Sequence, residues 1–90
     1  MAKFKISFDV TTENSTQPEW IFDSISDQLE DGEWITEYVC EFVGENSGEF
    51  MYNISFNIGI NYSNPPEWII ETVDKQLNEN ETITDVSINW

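Results

Sequence analysis

Pro18-Glu19-Trp20-Ile21 returns 48 residues later as Pro66-Glu67-Trp68-Ile69. Working outward from this pair, the same offset aligns Ile6-Ser7-Phe8 with Ile54-Ser55-Phe56, Gln28-Leu29 with Gln76-Leu77, and Ile35-Thr36 with Ile83-Thr84. Ser15/Ser63 and Glu33/Glu81 also agree. Together these give 13 identities over 40 aligned pairs, residues 3–42 on 51–90, with no gap. Several other pairs are conservative, as in Val10/Ile58, Asp23/Glu71 and Ile25/Val73. Self-similarity at a fixed offset marks an internal repeat, and two copies are too few for a solenoid. The chain reads as one domain, residues 1–90, made of two pseudo-repeats, 3–42 and 51–90.

Each copy opens with a period of two. Phe4, Ile6, Phe8 and Val10 alternate with Lys3, Lys5, Ser7 and Asp9; Tyr52, Ile54, Phe56, Ile58 and Ile60 alternate with Asn53, Ser55 and Asn57. That pattern is a half-buried strand. A helix start follows. Thr16-Gln17-Pro18-Glu19 is a capping box with Pro in the first turn, and Asn64-Pro65-Pro66-Glu67 repeats it with Asn as cap. Ile21, Phe22, Ile25 and Leu29 then recur at helical spacing, as do Ile69, Ile70, Val73 and Leu77. Asp31-Gly32 and Asn78-Glu79-Asn80 close the helices. Tyr38, Cys40 and Phe42, and in the second copy Val86, Ile88 and Trp90, alternate again as second strands. The order is βαβ–βαβ, joined through Gly44-Glu45-Asn46-Ser47-Gly48. With right-handed crossovers, the expected class is α+β: a duplicated βαβ–βαβ, ferredoxin-like four-stranded antiparallel sheet with two helices on one face. The other sheet face is left to solvent.

The composition is extreme. Among 90 residues, 18 Asp and Glu face 3 Lys, with no Arg and no His, for a formal net charge of −15. Direct nucleic-acid binding rests on Lys and Arg neutralising phosphates, so nucleic acid is not an expected ligand. An anionic membrane surface is disfavoured for the same reason. Disorder is the first alternative for so much charge, but 39% hydrophobic and 14% aromatic residues are enough for a core. One cysteine, Cys40, allows no internal disulfide. Without a signal-like or membrane-spanning run, a cytoplasmic location is expected, the host cytoplasm if a phage encodes the chain. The expected partner is a protein with a basic surface.

The acidic residues concentrate in the first copy: residues 3–42 hold 10 acidic residues and 2 Lys, residues 51–90 hold 6 and 1. On a wheel of about 100° per residue, Trp20, Asp23, Asp27 and Glu30 point away from the apolar stripe of the first helix. Asp31, Glu33 and Glu37 continue the acidic run. A solvated helix face is the ordinary explanation for such a run. Surfaces of small domains normally mix signs and keep the net charge near 2–8, and this helix has no Lys to form i,i+4 pairs. Halophilic adaptation would also give a negative skin, but 9 Asn, 11 Ile and a single Ala do not favour it. The candidate partner-binding set is therefore Trp20, Asp23, Asp27, Glu30, Asp31, Glu33, Trp34 and Glu37, with Trp20 or Trp34 as the aromatic anchor. Trp34 is matched by Thr82, so it belongs to the first copy alone.

Catalysis finds no support. Carboxylate pairs such as Glu30/Asp31 and Asp23/Asp27 have no nucleophile, oxyanion donor or phosphate loop beside them, and Asp27, Glu30 and Asp31 match no cation-loop spacing. No enzyme activity, cofactor or metal site is expected. The RNA-recognition fold is set aside because Ser7, Asp9, Ser55 and Asn57 stand where stacking aromatics would be needed. In size, charge and lack of catalytic groups the chain resembles the small acidic DNA-mimic inhibitors of phages and mobile elements, of the anti-restriction or anti-CRISPR type. The resemblance carries no shared motif. It implies a protein that imitates nucleic-acid phosphates and inhibits a host defence or repair protein by filling its basic groove. The alternative expectation is a ferredoxin-like interaction or regulatory module that pairs its edge strands with a second chain, as in a homodimer.

Overall fold

The computed structural model describes residues 2–61 and 64–90; Ser63, the partner of Ser15 in the repeat, lies outside them. The elements are β1 (Ala2–Thr12), α1 (Trp20–Ser26), β2 (Trp34–Asn46), β3 (Glu49–Ile60), α2 (Trp68–Asp74) and β4 (Thr82–Asn89). The strands form one sheet in the order β2-β3-β1-β4, every neighbouring pair antiparallel. β1 and β3 are central and pair along their whole length, from Ala2 opposite Ile60 to Thr12 opposite Phe50. The first residues of α1 and α2 stand 48 positions apart, at Trp20 and Trp68.

The alternating residues of the central strands do what their period dictates. Phe4, Ile6, Phe8 and Val10 of β1 and Ile54, Phe56, Ile58 and Ile60 of β3 are buried on one sheet face, under Ile21 and Ile25 of α1 and Ile69 and Val73 of α2. Lys3, Lys5, Ser7 and Asp9 point to the other, open face, with Asn53, Ser55 and Asn57.

The ferredoxin-like expectation is corrected by the helices. Helices were expected from Pro18 to Asp31 and from Pro66 to Asn80; each spans seven residues, while the strands take about half of the chain. The observed fold is a four-stranded antiparallel sheet in the order β2-β3-β1-β4 with two short helices, drawn out to 43 × 20 × 18 Å. The reason is local. Ile, Phe, Ser and Asp are indifferent helix formers. Asp27 at the C-cap of α1 sets a carboxylate against the negative end of that helix's dipole; α2, with Lys75 at its C-cap, is as short, so the cause the two share is low propensity. The expected capping boxes do not form either. Glu19 and Glu67 are the N-caps and make no side-chain cap bond. Both helices instead enter through tight turns, with Ile21 N–H on Pro18 C=O at 3.2 Å and Ile69 N–H on Pro66 C=O at 3.1 Å. Segments this short do not hold as isolated helices; the buried Ile21, Ile25, Ile69 and Val73 fix them. Leu29 and Leu77, expected on the helices, lie beyond their ends and still pack on the core.

Two bulges kink the edge strands at matched places. Glu37 and Tyr38 together oppose Phe56, and Asp85 and Val86 together oppose Phe8. Glu37 and Asp85 both adopt left-handed backbone, φ 54°, a conformation that costs a side-chain-bearing residue about 1–2 kcal/mol. A bulge with an outward acid twists an edge and blunts pairing with another sheet. Among the described residues, no helix is long and apolar enough to cross a membrane.

Candidate protein-binding surface

The eight residues singled out in the sequence do not share one face. Trp20 opens α1 and is 36% exposed. Asp23 lies in α1 and Asp27 caps its end, both exposed. Glu30 and Asp31 are exposed in the turn beyond the helix, so the acidic row is a helix followed by a loop. α1 leans on the outer strand β2, with Phe22 edge-on to Tyr38 at 5.0 Å between ring centroids. Glu37, Glu41 and Glu45 run along that same strand and are exposed. Glu37 and Glu41 meet Asn57 and Asn53 on the open face while α1 covers the other, so the acids flank the β2 edge from both faces.

Two titrating groups feel that flank. Burial pushes the Tyr38 hydroxyl well above the usual phenol range, with help from Cys40, Glu19 and Asp23. Burial also raises the half-buried Cys40 thiol, and the Glu19 carboxylate adds to it. The Tyr38 hydroxyl has no protein hydrogen-bond partner.

Glu33 is engaged in the frame. Its carboxylate accepts the Glu30 N–H at 2.7 Å and the Asn61 N–H at 2.9 Å. Glu81, its repeat partner, accepts the Asn78 N–H at 2.9 Å and the Thr12 hydroxyl. Each carboxylate therefore ties the turn after one helix to the end of a strand in the other half, which explains why Glu occupies both positions. Glu37 accepts a hydrogen bond from the Asn57 amide.

Trp34 sits on the open sheet face, away from α1. It pairs with Gly59, and its indole lies so close over that residue that no β-carbon fits there. The ring covers a glycine that the central strand would otherwise leave bare. At the matched positions Thr82 pairs with Thr11. Trp34 is therefore a packing residue.

Sequence reasoning missed the far end of this face. Val39, Val43 and Met51 are 51, 56 and 36% exposed. Phe42 is inward as expected, opposite Tyr52 with the rings 5.7 Å apart, yet 51% exposed. A second bulge, between Phe42 and Gly44 opposite Tyr52 and Met51, breaks the alternation there. The one available signal was the run Phe42-Val43-Gly44, apolar at successive positions and so on both faces of a strand. Among the described residues no group of three or more acidic or cysteine side chains converges to hold a metal ion. No family model matches the chain, and no curated protein matches it.

Proposed function

We propose that this chain is an acidic binding protein that fills the basic, nucleic-acid-binding groove of another protein, its carboxylates standing where phosphates would. One observation carries the reading. At matched positions of the two halves, the first half has the acid and the second does not: Asp9/Asn57, Glu13/Asn61, Asp27/Lys75, Glu30/Asn78 and Glu41/Asn89, against Ser26/Asp74 alone in the reverse sense. A frame that folds with Asn or Lys at these positions in one half does not need carboxylates there in the other. Charge beyond what the frame needs raises self-repulsion, and it also speeds and directs the approach of an oppositely charged partner. Exposed Trp20 beside Asp23 supplies an aromatic contact of the kind favoured in binding hot spots. The mode of action is steric occupation of the groove, with inhibition of the occupied protein as the outcome. Self-pairing through the edge strands is the weaker reading, because both edges carry an acidic bulge.

The test uses the immobilised chain and a set of purified DNA-binding proteins, including restriction nucleases, a CRISPR effector and repair enzymes. Capture relieved by duplex DNA, and weakened between about 50 mM and 200 mM salt as phosphate-type contacts are, supports the proposal. The triple variant D23K/D27K/E30K, with an unchanged circular dichroism spectrum, should lose capture. Binding indifferent to competing DNA, or unchanged in the triple variant, rejects it.

A further inference from the structure

We infer that the acidic end of the open sheet face receives one lysine or arginine side chain from a protein partner, an inference that rests on the reading of the chain as a binder of basic proteins. A cavity of about 270 Å³ lies there, lined by Thr11, Val43, Glu45, Glu49 and Met51 among others. It falls below the ~300–1,000 Å³ of sites for small molecules, and suits a single long side chain. Its floor is apolar: Val43 and Met51 stand in water, and the bulge before Gly44 carries Val43 out of the regular alternation. Its surroundings are acidic. Asp9, Asn53 and Glu41 form one row across the strands, and Met51 is two residues along from Asn53, about 6.6 Å at strand rise. Glu49 lies the same distance beyond Met51. A basic side chain laid over Val43 and Met51 covers its alkyl stem and reaches a carboxylate with its head.

The pseudo-symmetry shows that the frame did not impose this. At the matched corner of the same face, Asn57, Lys5 and Asn89 replace Asp9, Asn53 and Glu41, and Lys3 replaces Met51. One corner is acidic with an apolar floor; its twin carries two of the three lysines of the chain. A second copy presenting Lys3 and Lys5 is the competing occupant. A charge of −15 on each copy opposes that approach, so the occupant is a foreign basic side chain.

The probe is the peptide acetyl-Gly-Arg-Arg-Arg-Gly-amide, with its citrulline counterpart as a neutral isostere, titrated into the full chain at low salt. The methyl signals of Met51 and Val43 should shift saturably with the arginine peptide and not with the citrulline one. Val43→Thr and Glu49→Gln, both surface changes, should each weaken those shifts about two- to fivefold, the one by a lost methyl contact and the other by a lost exposed ion pair. Arginine-peptide shifts around Asp23 and Asp27 with the Met51 and Val43 methyls unmoved would overturn the pocket and leave the acidic-binder reading standing. No arginine-peptide binding anywhere would remove both. A concentration-dependent dimer in sedimentation, abolished by K3S/K5S, would overturn the proposal in favour of the second copy.

Discussion

The two halves of this protein share a frame and differ in what they hang on it. Both keep the Pro-Glu-Trp-Ile entry to a seven-residue helix, the Glu33/Glu81 clamp, and the left-handed acidic residue at Glu37/Asp85. They part at Asp9/Asn57, Asp27/Lys75, Glu30/Asn78, Trp34/Thr82 and Glu41/Asn89. Subtracting one half from the other picks out carboxylates that the frame does not require, and Asp9 and Glu41 join the candidate surface on that ground. Glu33 leaves it because both its oxygens are held by the clamp.

The comparison breaks first in the core, where the largest effects lie. Phe8 and Phe56 are buried at matched positions, each opposite a bulge. Phe8→Ala and Phe56→Ala should each cost about 3–5 kcal/mol, a large part of the stability of so small a domain. Urea unfolding should show one transition for each variant, with similar losses. A separate transition for one half would mean that the halves fold independently, and the frame would not be shared.

The clamp comes next. Glu33→Gln and Glu81→Gln each turn a carboxylate that accepts two hydrogen bonds into an amide that can accept only with one atom. Charge-assisted bonds of this kind contribute about 1.5–3 kcal/mol, and a lost negative charge in a −15 chain offsets part of it. A net loss of about 1–2 kcal/mol is expected at either position, larger in high salt, where the relief of repulsion is screened. Loss at Glu81 with none at Glu33 would return Glu33 to the binding surface.

Much of this was legible in the residues because side-chain period and the repeat are both properties of local sequence. The alternation in Phe4–Val10 and Tyr52–Ile60 gave the central strands, and the offset of 48 gave the pairing of equivalent elements. Helix length was not legible. The apolar spacing through Leu29 and Leu77 persists because those residues pack on the core from the turn after the helix, as they would from the helix itself. Bulges were invisible for a similar reason: Glu37 and Asp85 carry no glycine to announce a left-handed residue. Trp34 looked like an anchor because its partner in space, Gly59, is 25 positions away in sequence and says nothing until the register is known.

The smallest effect tests the acidic flank from within. Tyr38 is matched by Val86, so the phenol is peculiar to the acidic half. Burial, with Cys40, Glu19 and Asp23 behind it, keeps the folded phenol protonated beyond the ordinary tyrosine range. The sign follows from linkage. Below pH about 10 both folded and unfolded chains hold the proton, and the stabilising difference is fully present. As pH rises past that value the unfolded chain releases its proton first, and stability falls. Cys40 adds a drop of the same sign that begins lower, near the ordinary thiol range. Tyr38→Phe removes the phenol limb and also a buried hydroxyl that has no protein partner, so the variant should gain about 1 kcal/mol at neutral pH. Thermal unfolding at pH 7, 9 and 11 separates the two contributions. The wild-type midpoint should drop more than the variant's between pH 9 and 11, with Cys40 common to both. Equal drops would mean that Tyr38 reaches solvent, and that α1 does not lean on β2 as the geometry requires.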